Sequence, residues 1–457
     1  MVNVIVELSR YLIIILMALY TLQCFTVFKE RNEREKKHIL RKQLFLIYFM
    51  DLVAFTVIFL KMQKIEILTF FAAQLIYFTV VQILYRIIYK KAAFLVLNHM
   101  CMLLSIGFIM LARLDLERAV KQFQIVVIAT VIALVIPVMI RRMKFLNQLT
   151  WVYAGAGFVL LAVVLVLGRT EYGAKLSINL GSFSFQPSEF VKIIFVFFVA
   201  SMLYKNTEFI QVVKATVVAG AYVLILVASK DLGSAVVFFI TYLAMVYVAT
   251  KKPLYLAAGA GGGCVAAVGA YFLFNHVRQR VVAWKDPFSV YDREGYQIVQ
   301  SLFAIGTGSW FGMGLCQGAP DSIPVVKQDF IFAAICEELG GIFAMCLILV
   351  CMSLFLMVVN ISLQIKNPFY KLIALGLGTE YAFQVFLTIG GATKFIPMTG
   401  ITLPLVSYGG SSVLSTIIML AIVQGLYILR EDEDEELGKQ KERRRAQTNQ
   451  KRAKTKS

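Results

Sequence analysis

Residues 329–359 read DFIFAAICEELGGIFAMCLILVCMSLFLMVV. Apart from three carboxylates the run is apolar, and it is longer than the roughly 20 residues that cross a bilayer as a helix. Asp329 stands at its mouth. Glu337 and Glu338 lie about 12–14 Å deeper at a rise of about 1.5 Å per residue. Carboxylates at that depth are costly unless paired or wet. Similar apolar runs fill the rest of the chain, at about 4–28, 43–60, 67–89, 92–112, 122–140, 149–168, 189–204, 210–228, 232–249, 254–274, 371–391 and 411–429. With 329–359 they make thirteen predicted spans.

The composition agrees. Of 457 residues, 59% are hydrophobic and 16% charged. A soluble domain is about 45–50% apolar and about 25% charged, so this chain has too little polar surface to cover itself in water. The expected class is an all-α integral membrane protein. The charge balance, 45 Lys+Arg against 27 Asp+Glu, gives +18. In a soluble protein that would suggest nucleic acid. Here the basic clusters sit at Lys29–Lys42, Arg141–Lys144, Lys251-Lys252 and after Arg430. Thirteen spans put all of them on one side, which the positive-inside rule makes the cytoplasm. The N-terminus is then outside and the C-terminus inside, and no nucleic-acid partner is expected. The apolar N-terminus is followed by a basic cluster, not a small-residue cleavage site, and reads as a retained helix. None of the seven cysteines forms CxxC and no metal-ligand spacing is visible. The tail, EDEDEE followed by KQKERRR and KRAK, predicts disorder over 431–457, with a basic half suited to anionic lipid.

The predicted outer side carries the unusual chemistry. In Gln186-Pro187-Ser188-Glu189-Phe190-Val191-Lys192, Pro187 suits the turn into a helix and Ser188 its N-cap. Glu189 and Lys192 are three apart and share a face. Asp231 in Lys230-Asp231-Leu232-Gly233-Ser234 suits the cap of the following helix. The long segment at about 275–328 holds Arg278, Arg280, Lys285 and Lys327 and leads directly to Asp329. For Glu337 and Glu338 the plain expectation is buried pairing with a cation. Residues 397–412, PMTGITLPLVSYGGSS, have Pro and Gly at a density that means irregular backbone, tolerated at membrane depth when packed in protein or lining a wet cavity. A helix starting near Ser411 after Gly409-Gly410 offers backbone N–H groups to an anion, and Lys394 lies just before this segment.

These motifs, taken in order, resemble the SEDS family (FtsW/RodA/SpoVE) over about 92–430. The resemblance rests on QPSEFVK, DLGSA, the Gly-rich loop containing Gln279-Arg280, DFIFA with CEELG, and TGI.LP..SYGGSS. It implies a ten-helix core, with 1–91 as an N-terminal extension of about three further spans. It implies polymerisation of glycan from lipid II at the outer membrane face, beside a class B penicillin-binding protein that crosslinks the strands. In the family pattern Asp329 is the essential aspartate, Glu189 and Lys192 the important pair, and Arg280 the loop arginine.

That resemblance sets the chemical expectation. A sugar 4-hydroxyl is a poor nucleophile, and Asp329 is the expected general base. The leaving group is undecaprenyl pyrophosphate, whose growing charge calls for fixed cations. Arg280 is the first candidate, with Arg278, Lys285, Lys327 and Lys394 behind it. A divalent cation, Mg or Mn, could share this work. Glu189 and Lys192 are expected to shape the cavity. A lipid II flippase is the competing function, and a non-catalytic scaffold for a penicillin-binding protein is a third. A flippase wants a polar path on both sides, whereas the polar segments here cluster on one. Service in elongation, division or sporulation is left open.

Overall fold

The protein is described by a computed structural model, which covers residues 2–143, 145–171, 174–180, 183–293 and 295–456. Each predicted span is helical, with 122–140 divided between two consecutive helices. The extension is α1 (Val2–Lys29), α2 (Glu33–Met62) and α3 (Ile65–Ile88). The core opens with α4 (Phe94–Leu114), α5 (Leu116–Ala133), its short continuation α6 (Ile136–Arg142), α7 (Thr150–Leu167) and α8 (Ser188–Leu203). It continues with α9 (Phe209–Ala228), α10 (Leu232–Thr250) and α11 (Pro253–Leu273). Two short helices, α12 (Asn275–Lys285) and α13 (Tyr296–Gly308), lie in the large loop before α14 (Ile331–Gln364), α15 (Pro368–Ala392) and α16 (Gly410–Lys456). Among the described residues twelve helical stretches are long and apolar enough to cross a membrane, and α8, at 16 residues, is a shorter thirteenth. Three short antiparallel strands, β1 (Arg169–Glu171), β2 (Ala174–Leu180) and β3 (Phe183–Phe185), join α7 to α8.

The centre of the bundle is α4, whose residues from Leu95 to Ala112 are all buried. Phe55, Phe70, Phe108 and Phe123 stack edge and face across α2, α3, α4 and α5. Buried polar pairs lock the extension to the core. Gln82 donates to Asn98 (2.9 Å), Asn98 donates to Gln43 (3.0 Å), and Ser105 donates to Asp51 (2.5 Å). Without a hydrophobic drive between helices in lipid, such bonds and close packing carry the association. At the other extreme, α11 buries none of its residues.

The two faces of the bundle differ. At one, Lys91 and Arg141 both bind Asp432 (2.8 and 2.7 Å), Lys91 also binds Glu435, and Lys366 binds Asp434 at 3.3 Å. This changes the expectation for residues 431–457. They continue α16 as helix to Lys456 instead of forming a disordered tail. The acidic run is neutralised by cations from two loops and the end of α6, and Glu435 pairs with Lys439 one turn on (2.8 Å).

The opposite face contains a broken helix. Gly340 takes φ 89° and ψ 165°, so α14 is two helices joined at a kink. Part of the long segment before α14 packs against this kink. Residues 309–314 run down beside residues 337–342. Met313 N–H donates to Glu337 O and Gly314 N–H to Glu338 O (both 2.9 Å), while Gly341 and Ile342 donate to Ser309 O (2.8 Å) and Trp310 O (3.1 Å). Loop backbone thus replaces the helix's own partners. The approach is close enough that a Cβ at Gly340 would meet Trp310 O at 2.6 Å.

Gly340→Ala therefore imposes a backbone conformation that is essentially Gly-only, at about 1–3 kcal/mol, plus a clash. The expected result is a clear loss of thermal stability in detergent. Gly262→Ala, where a Cβ meets nothing within 4 Å, should leave it unchanged. Equal melting temperatures for the two variants would contradict the close packing at the kink.

Candidate functional site

Asp329 is held by bonds to the backbone of the two residues before it. The Pro/Gly-rich segment after α15 acts as the template. Tyr408 N–H donates to Lys327 O (2.8 Å) and the Ser407 hydroxyl donates to Gln328 O (2.5 Å). Gln122 of α5 fixes that template, donating to Ser407 O and accepting from Gly409 N–H, both at 3.0 Å. Arg280 reaches the same place from α12, donating to Thr399 O at 3.1 Å. Trp284, one turn further along α12, donates to Lys394 O at 3.1 Å and pins the helix to the segment.

These two charged groups meet over Gly400, which has φ +77°. A Cβ there would stand 3.7 Å from Arg280 Nη2 and 3.9 Å from Asp329 Oδ2. Only glycine leaves that point open and adopts that backbone. The Asp329 carboxylate makes no hydrogen bond or ion pair with a described residue. Burial pushes its pKa up to about 6, against the opposing pull of Arg280. Burial lowers the pKa of Arg280 from its ordinary value, with Asp329 and Asp231 opposing.

Asp231 caps α10 as the sequence predicts, accepting from Ser234 N–H at 3.1 Å. Its other oxygen accepts from Ser188 at 3.1 Å. Ser188 is therefore not an N-cap. It is the first residue of α8, after Pro187, and its hydroxyl bridges two helix starts. Below it, Lys192 (6% exposed) donates to Glu189 at 2.5 Å and to Gln384 at 2.9 Å. Gln384 donates to Thr402 O (3.2 Å), and Ser415 donates to Glu189 (3.0 Å). The pair thus ties α8, α15, α16 and the Pro/Gly-rich segment together.

Other expected site residues go elsewhere. Lys327 pairs with Asp115 at 2.8 Å, beside Arg118 at 3.2 Å. With Arg118, it lines an open cavity of about 680 Å³ walled by residues 321 and 323–328. Arg278 bonds back to Phe272 O (3.3 Å) and lies over the Tyr271 ring. Lys285 is exposed and Lys394 half-buried. Ser411, at the start of α16, is buried, and its hydroxyl donates to Ser184 O (3.1 Å) and accepts from Gln186 N–H (2.9 Å), tying the helix start to the end of β3. Glu338 pairs with Arg113 (3.0 Å) and caps Cys316 N–H (3.2 Å), and Glu337 accepts from Ala319 N–H (2.9 Å). Among the described residues no group of three or more His, Cys, Asp or Glu could hold a metal ion.

Some residues escape a sequence reading. His276 lies one turn before Arg280 on α12, and its Nε2 is buried without a partner. Burial first, then Arg280 and Lys230, hold it below the usual histidine range. Glu380 and Gln384 share a face of α15 by their spacing of four. Glu380 is 1% exposed with both carboxyl oxygens unpartnered. The available signal was an ionisable residue inside an apolar run.

Comparison with known proteins bears on this arrangement. A family profile described as cell cycle protein, of FtsW, RodA and SpoVE, matches residues 90–431. The peptidoglycan glycosyltransferase RodA of Mycobacterium bovis is 34% identical over 358 residues, covering 72% of this chain and 76% of the relative. A probable peptidoglycan glycosyltransferase FtsW from Saccharophagus degradans is 31% identical over 361 residues, covering 73% of this chain and 92% of the relative. A structure from work on polymerisation and crosslinking by a peptidoglycan synthase complex superposes with a TM-score of 0.63 at 25% identity. It covers 74% of this chain and 98% of the other. Thermus thermophilus RodA shares the fold, with a TM-score of 0.56 at 23% identity over 75% and 98% of the two chains.

The buried pair makes a stability prediction. Lys192→Met leaves Glu189 without its cation, at about 3–5 kcal/mol. The yield of folded protein should drop sharply, and the double variant Lys192→Met/Glu189→Gln should recover part of it. Size-exclusion and melting in detergent read both. A single variant as stable as wild type would show that the pair carries no structural load.

Proposed function

As a member of the FtsW/RodA/SpoVE cell cycle protein family, the chain is a peptidoglycan glycosyltransferase embedded in a membrane by many spans, and we propose that it polymerises lipid II with Asp329 as general base. The observation that carries the reading is the meeting of Asp329 and Arg280 over Gly400. One side chain can take a proton, the other can hold an anion, and the residue between them has no side chain to block a substrate.

The chemistry follows from those two groups. The sugar 4-hydroxyl of one chain gives its proton to the Asp329 carboxylate as its oxygen bonds to the anomeric carbon of the other. The bond from that carbon to the phosphate oxygen breaks, and undecaprenyl pyrophosphate leaves. A pKa near 6 leaves the carboxylate ionised at neutral pH yet basic enough to help. Arg280, already anchored on Thr399 O, needs little reorganisation to meet the developing charge. Glu189 and Lys192 act by holding the Pro/Gly-rich segment that templates the Asp329 loop. Residues 92–430 form the catalytic core, and 1–91 and 431–457 are additions to it. The Asp329 face is the outer one, with the start of α1 on it. The Lys91, Arg141 and Lys366 face is cytoplasmic, consistent with the basic loops. The partner is a class B penicillin-binding protein, by analogy with the synthase complex that the fold resembles.

Asp329→Asn should lower glycan polymerisation by at least about 100-fold, read with labelled lipid II and the purified chain with its transpeptidase. The wild-type rate should fall as pH drops through about 6, because the base then binds a proton. Arg280→Gln removes the cation that holds this pKa down, so the acid limb should move to higher pH. An Asp329→Asn enzyme at full rate would sink the assignment. Lipid II crossing vesicles with no polymer formed would favour a transporter.

A further inference from the structure

We infer that α1 clamps the loop that backs the Asp329 helix, and that Arg10 is a positioning residue for the base. The inference rests on the assignment of Asp329 above. The segment of α14 between Asp329 and the kink, Ile331–Leu339, is isolated from the rest of the helix by Gly340. Its position is set by what it packs on, and much of that is the 309–319 loop. Glu337 and Glu338 bind this loop by both backbone and side chain.

The loop in turn needs cover. Irregular backbone at membrane depth is tolerated when protein shields it. α1 supplies that shield. Arg10 Nη1 donates to Gly312 O at 3.2 Å, and Gly312 is the residue packed against the kink. Arg10 is itself aimed by Glu7 (3.0 Å) and by the Tyr11 hydroxyl (2.8 Å). The Tyr11 ring packs on Phe311 with centroids 5.7 Å apart, and a Cβ at Gly314 would touch Val6 at 3.5 Å. Residues 311, 312 and 314 of the loop therefore all face one helix. That helix lies outside the region matched by the family profile, which begins at residue 90. The clamp stands outside the profile match and reaches the base through loop and helix, without touching substrate.

The test uses the full-length protein with its transpeptidase and has two readouts. Arg10→Ala, compared as folded protein by size-exclusion, should lower kcat about ten-fold with KM changed less than about two-fold, since displacing a catalytic group by even an ångström costs rate. Maleimide labelling of the native Cys316, measured by mass spectrometry, should quicken as the loop loosens. Arg10→Lys, which keeps a donor, should restore part of both. Tyr11→Leu, a milder change, should shift both in the same direction if Arg10→Ala does not fold. Unchanged kcat in a folded variant, with or without faster labelling, overturns the positioning role. Lost kcat with unchanged labelling overturns the clamp. Loss of activity in Asp329→Asn beside a normal Arg10→Ala enzyme would refute this inference and leave the proposed base standing.

Discussion

A helix broken in lipid must find other partners for its backbone, and at Gly340 those partners come from a loop about thirty residues earlier in the chain. The demand is strict because hydrocarbon offers no water to an unpaired N–H or C=O. Four backbone bonds between residues 309–314 and 337–342 meet it. The break has a use. It leaves a short, separately packed helix whose start carries Asp329, so the carboxylate is placed by loops and neighbouring helices and not by the full length of α14. Arg113 and the Glu337-Glu338 pair are the electrostatic part of the same arrangement.

Two kinds of half-buried carboxylate coexist around the site. Glu189 is neutralised by a lysine one turn away and accepts a hydrogen bond from Ser415 of α16. Asp329 is left without a partner, within the field of a guanidinium that is itself bonded elsewhere. The first arrangement gives rigidity and the second gives reactivity, because a saturated carboxylate has no lone pair to offer a proton. Separating the roles lets the scaffold be stiff where it holds the loop and unsatisfied where chemistry would occur.

Much of this was legible from residues alone. The spans were, because lipid leaves the backbone few options and a helix advertises itself by length. So were the Glu189–Lys192 pair, set by local spacing, and the Asp231 cap. What could not be read were partners distant in sequence. Nothing in Lys327 announces Asp115, more than two hundred residues earlier, and nothing in Ser411 announces the strand end at Ser184. The Gly-rich loop and the apolar run after Asp329 were both visible, but not that residues 309–314 would lie against 337–342. The acidic run after Arg430 read as disorder because its counter-charges sit far away in sequence, in two loops and at the end of α6.

One contrast within the bundle bears on how the site assembles. Asp329 is fixed by a template gripped from α5, α8, α15 and α16, the last three of which are mostly buried. Arg280 is carried by α12, which follows directly from α11, the helix with no buried residue. Few packing contacts mean a low free energy of local displacement. The two halves of the site are therefore braced differently: the proton-accepting half sits on the template itself, and the anion-binding half, fed by a helix with no buried face, is held to that template by the grip of Arg280 and Trp284.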